Sequence, residues 1–198
     1  MNTEKTLIII PTYGNINKNR SEIELSGIHQ YLNSIFSSII ALFDSGYEIS
    51  GIIFSGGYTD PKLGISEAED FKRYFIENFD QKKLLKTGEN NNQIPILCEN
   101  SALNHSEKIA FSLMTARLIE FNSIYCYCDQ NFEIKVNTIL HGLLGKNDLG
   151  WVLIPVKRGD IHPSNTAQIQ TMEKMPAEIF SPRFKTLQDF INQLPNIS

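Results

Sequence analysis

Ser55-Gly56-Gly57, followed after a polar loop by Ser66-Glu67-Ala68, places two glycines, a hydroxyl and a carboxylate around one turn. Glycines let backbone approach a bound group closely. A glutamate in a first helical turn can accept a proton or bind a hydroxyl. A second group, Glu99-Asn100-Ser101 with Asn104 and Glu107, repeats the pattern downstream. Glu67 and Glu99 are therefore the candidate general bases. Thr12, Gly14, Asn15, Ser55, Gly56, Gly57, Ser101, Asn104, Asp129, Lys135 and Arg158 are candidate ligand-binding residues. The amides of Gly14, Gly56 and Gly57 would receive anionic or carbonyl groups, as N–H groups at a strand end or helix N-terminus do. Ser55 as a nucleophile would need a base, and His105 is the histidine within that set of loops.

Each residue also has a structural reading. Ser66, Asn104 and either Asp129 or Asn131 are of the types that cap helices. Glu67 suits a helix dipole without any ligand. Gly56 and Gly57 suit a turn with positive φ, and Lys157-Arg158 suits a solvated pair.

The elements that would carry these residues follow from periodicity. Short apolar runs at 6–10, 51–54, 94–98, 123–128 and 151–156 read as buried strands, each delivering polar residues to its end. Helical spacing of Leu25, Ile28, Leu32, Ile35, Phe36, Ile39 and Phe43 predicts a first helix, capped by Ser21 and ending before Gly46. Further helices follow Ser66, with Glu69 completing a capping box, and Asn104, with Glu107 at the same spacing. A fourth carries Val136, Ile139, Leu140 and Leu143 and closes at Gly145. Alternation of strand and helix predicts one α/β domain over 1–198: a three-layer α/β/α sandwich with a mainly parallel, Rossmann-like sheet of about five strands. Its C-terminal edge would gather the candidate residues. Residues 81–93 read as a solvated loop, 161–182 as an irregular arm, and 183–194 as a docking helix.

At 198 residues the chain is long enough for one sizeable core. A net charge of -4 and a pI near 5.6 speak against nucleic acid as the main partner. The four apolar residues before Pro11 are too few for a signal peptide or membrane span, so the expected location is cytoplasmic. Cys98, Cys126 and Cys128 lack metal-ligand spacing, and the last two should share one sheet face as buried thiols. No phosphate-loop, dinucleotide-fingerprint, nucleophile-elbow or zinc-protease motif is present, and no metal is expected. The expected partner is a small molecule, and a homo-oligomer is compatible with the composition.

Taken together, the Ser55-Gly56-Gly57, Ser66-Glu67-Ala68 and Glu99-Asn100-Ser101 motifs with Asn104 and Glu107 resemble the YdcF-like and SanA-like family, a domain of unknown function, over roughly residues 6–156. The resemblance implies a Rossmann-like domain of the family's soluble branch, with S-adenosylmethionine as a candidate ligand. The family's pattern has Thr and Asn where this chain has His105 and Lys108. It has His and Arg near the positions of Phe132 and Lys135. The expected function is a small-molecule-binding enzyme or enzyme-like domain acting on a nucleotide-like or phosphorylated ligand. A ligand-sensing module without turnover is the alternative, and an interaction protein using 161–182 is a third. Residues 7–13 are also similar to the opening strand of nucleotide-sugar glycosyltransferases, but no Asp-x-Asp pair follows the middle strands.

Overall fold

A computed structural model of the chain describes residues 5–16, 22–58, 61–79, 93–116, 119–144 and 150–158. Five strands, β1 (Lys5–Pro11), β2 (Glu48–Ser55), β3 (Ile96–Glu99), β4 (Ser123–Asp129) and β5 (Gly150–Val156), form one parallel sheet in the order β3-β2-β1-β4-β5. Among the described residues the α-helices are α1 (Glu22–Asp44), α2 (Glu67–Asn78), α3 (His105–Thr115) and α4 (Glu133–Leu144).

Side chains alternate along a strand, so one apolar run feeds two cores. Ile8, Ile10, Ile52 and Phe54 pack with α1 and α2, whereas Leu7, Ile9, Ile53 and Cys126 pack with α3 and α4. The result is the expected three-layer sandwich. Cys126 and Cys128 are buried together on the α3/α4 side, and all three cysteines are free thiols. Among the described residues no helix is long and apolar enough to cross a membrane.

Local signals set most element ends. Gly46 adopts φ 82° after α1, and its N–H donates to Phe43 O while Tyr47 N donates to Leu42 O, closing the helix. Ser66 caps α2 with both halves of the capping box formed. Asn104 caps α3 through Glu107 N, but the Glu107 carboxylate turns to Leu103 N instead of the cap's own amide. Asp129, not Asn131, caps the 3-10 turn Gln130–Phe132 that leads into α4. The third strand begins at Ile96 rather than residue 94. Pro95 has no N–H for the ladder, and only its carbonyl joins, accepting from Ile52 N. This edge is short, and Lys72 Nζ occupies Ile96 O at 2.6 Å. The expected Ser21 cap, most of the 81–93 loop, the Gly145 stop, the 161–182 arm and the 183–194 helix lie outside the described residues.

Candidate functional site

The chain winds outward from β1 to β3 and then crosses to β4 on the other side of β1, so strand order reverses between β1 and β4. In open parallel sheets that reversal opens a crevice at the carboxyl ends. The loops after β1, β2, β3, β4 and β5 supply the candidate residues to this rim.

Thr12 leaves β1 and ties it to β2, its N–H donating to Ser55 O at 2.8 Å. Its hydroxyl reaches Ser55 O at 2.9 Å and Glu67 Oε2 at 3.0 Å. Glu67, 2% exposed, also meets Lys108 Nζ at 3.1 Å, and Lys108, 7% exposed, donates in addition to Thr12 O. An ion pair enclosed this far is expensive to desolvate, so it requires geometry and further hydrogen bonds to persist. Lys108 was named in the sequence only as a departure from a family pattern. It is the centre of the rim.

Beside this knot, Ser55 Oγ lies 2.6 Å from Glu99 Oε2 and 3.0 Å from Lys108 O, two acceptors for one proton. Glu99 Oε1 accepts from Ser101 N at 2.6 Å and Ala102 N at 3.1 Å. Burial raises the Glu99 pKa above the ordinary carboxylate value, with the Ser55 hydrogen bond opposing it. Geometry agrees with that direction: a protonated Glu99 can donate to Ser55 Oγ, which then donates to Lys108 O, and every group is satisfied. Ser55 is thus bonded to Glu99 and the α3 backbone, and the pairing with His105 expected from sequence does not form.

Gly56 and Gly57 have neither the open amides nor the positive φ that the sequence allowed. Gly56 N donates to Glu99 O at 2.9 Å and Gly57 N to Ala102 O at 2.7 Å, while their carbonyls accept from Ala68 N and Glu67 N. Positive φ occurs instead at Gly14, Gly46 and Gly64. A Cβ on Gly56 would lie 1.9 Å from Thr12 Oγ1, and one on Gly57 2.7 Å from Ala102 O. Glycine is required here because two loops interlock.

Three rings cluster at the same rim. Tyr13 stacks on Phe132 at 5.5 Å and 7°, and His105 closes the triangle at 4.3 Å from Phe132 and 5.5 Å from Tyr13. All three are partly exposed. Lys108 Nζ and Arg158 lie 5.5 Å and 5.9 Å from the Tyr13 ring centre. Arg158 faces Asp129 at 3.6 Å and donates to Tyr13 O at 3.3 Å. Burial lowers the His105 pKa to about 3, with Lys108 and then Lys135 acting in the same direction, and its buried Nε2 has no hydrogen-bond partner.

Of the remaining candidates, Asn15 is buried and donates to Ile65 O at 3.4 Å, anchoring the β1 loop beside α2. Asp70, overlooked in the sequence, holds Ile16 N at 2.6 Å. Gly14 shapes the turn between Tyr13 and Asn15. Ser101 is exposed, whereas Asn104 and Lys135 are partly exposed. Among the described residues no three His, Cys, Asp or Glu side chains are grouped to hold a metal ion. The chain matches no family model, no curated protein and no solved structure in comparisons of each kind.

Proposed function

We propose that this chain is a small-molecule-binding enzyme or enzyme-like domain whose ligand is nucleotide-like or phosphorylated and is held at the C-terminal edge of the sheet. The observation that carries the reading is the enclosed Thr12–Glu67–Lys108 knot beside Ser55–Glu99, assembled from the ends of β1, β2 and β3 and the first turns of α2 and α3. Buried ion pairs contribute little net stability compared with apolar packing. Such a concentration of charge at a topological switch point is where a ligand site is expected. Glu99, with its raised pKa, and Glu67 are the groups able to accept or return a proton there. S-adenosylmethionine is the named candidate ligand, on the strength of the resemblance of the loop motifs alone.

A non-catalytic sensing role is the second reading, favoured by one specific feature. Glu67 and Glu99 are 2% and 5% exposed and already hydrogen-bonded, which suits a rigid binding frame better than a base that must meet substrate. A thermal-shift panel of S-adenosylmethionine, nucleosides, nucleotides and sugar phosphates tests the common premise. A ligand at a hundred times its dissociation constant adds about 2.7 kcal/mol. No shift with any compound, or an equal shift in Glu67→Gln, refutes it. Incubation with the ligand that binds, followed by mass spectrometry for product, separates enzyme from sensor.

A further inference from the structure

We infer that the rim takes a ligand through a planar, phosphate-free ring, with the Tyr13–His105–Phe132 cluster as its stacking surface. This rests on the ligand-site reading above and narrows it from a nucleotide-like or phosphorylated molecule to a nucleoside-like one.

The amide groups that would hold a phosphate at the start of α2 are committed. In the first turn of α2, Glu67 N and Ala68 N donate to Gly57 O and Gly56 O, Glu69 N to Ser66 Oγ, and Asp70 N to Ser66 O. The glycine amides before them are taken by Glu99 O and Ala102 O. That helix start carries Glu67, Glu69 and Asp70, three carboxylates where an anion would have to sit. At the start of α3, Glu107 is 1% exposed and its Oε1 has no partner. An acceptor in that position is satisfied by a donor, not by a phosphate oxygen.

The two cations beside the Tyr13 ring, Lys108 and Arg158, are already engaged by carboxylates. Lys108 faces Glu67 at 3.1 Å, Arg158 faces Asp129 at 3.6 Å, and Arg73 faces Asp70 at 3.4 Å. An incoming phosphate would compete with three carboxylates already in place. Aromatic surface, by contrast, is contributed from three separate elements to the place where strand order reverses. The β1 loop brings Tyr13, α3 brings His105, and the turn after β4 brings Phe132. Each of the three residues is partly exposed. Nucleobases stack on such rings whatever their sequence of ring atoms.

Calorimetric titration with adenosine, AMP, ATP and ribose 5-phosphate tests the inference. Adenosine should bind at least as tightly as AMP and at least tenfold more tightly than ATP. Phe132→Ala should weaken adenosine about five- to hundred-fold, the range for loss of one base–aromatic stack. Phe132→Leu keeps apolar bulk, and its melting temperature reports folding, so a similar weakening there assigns the effect to the ring. ATP or ribose 5-phosphate binding more tightly than adenosine overturns the inference. So does unchanged adenosine affinity in both Phe132 variants. Ribose 5-phosphate binding that Glu67→Gln abolishes would overturn it while leaving the ligand-site reading intact, whereas failure of every compound overturns both.

Discussion

Replacing Lys108 with Met removes the cation from the rim while keeping a chain of similar length. In the folded protein Lys108 Nζ lies 3.1 Å from Glu67 Oε2, and the two residues are 7% and 2% exposed. At that separation and an effective dielectric constant of about 20, the pair attracts by about 5 kcal/mol. Breaking a buried pair by removing one partner costs about 3–5 kcal/mol, because the other charge stays enclosed. We therefore expect Lys108→Met to lose about 4 kcal/mol. At about 2–4 °C per kcal/mol for a chain of this size, the melting temperature should fall by about 8–16 °C. Glu67→Gln/Lys108→Met should recover about 2 kcal/mol or more of that loss, since neither charge is then buried alone. Urea unfolding followed by circular dichroism on the four proteins of the cycle measures the coupling. A loss below about 1 kcal/mol in Lys108→Met, or additive single effects, would refute the claim that this pair organises the rim.

Gly56→Ala should also be damaging, because the new Cβ would lie 1.9 Å from Thr12 Oγ1. We expect a loss of about 3 kcal/mol or more, relieved in part by Thr12→Ala, measured by the same unfolding series. Glu99 has a folded pKa raised above its unfolded value, so the stability it contributes is present below the unfolded value and is lost as pH rises through the folded one. Stability of the protein relative to Glu99→Gln should therefore increase as pH falls from neutral towards about 4.5, and a pH-independent difference in chemical denaturation would contradict this. His105 behaves in the opposite sense: its pKa is lowered from 6.5 to about 3, so the unfolded chain binds the extra proton and stability drops as pH falls through that window. Its imidazole NMR signals should show no inflection between pH 5 and 8, and a midpoint near 6.5 would refute the burial argument.

The sandwich was legible in the sequence because its signals are local. Four-to-eight-residue apolar runs alternating with helical stripes leave few arrangements, and the Ser66 and Asn104 caps announce their helices within three residues. Loop ends were likewise placed on one rim by the parallel topology. What the rim residues do there was less legible. Gly56 reads as a turn or a ligand contact until Thr12 is known to sit against it, 44 residues away in the chain. Lys108 follows His105, Ser106 and Glu107 on a helix start and looks like a surface lysine. Its burial depends on a carbonyl and a carboxylate carried by two other loops. Only the assembled fold reveals such contacts, and no spacing rule encodes them.

The hydrogen bond from Lys108 to Thr12 O joins residues 96 apart in the chain, and Thr12 to Glu67 joins residues 55 apart. Closing loops of that length costs chain entropy before any contact repays it, so long-range pairings are slow to form. The rim contacts need the ends of β1 and β2 and the starts of α2 and α3 already side by side, so we expect them to form late in folding. Substitutions there should leave the refolding rate nearly unchanged and act on the unfolding limb of the chevron. The same residues that gather at the carboxyl ends would then set how long the native state survives rather than how quickly it appears.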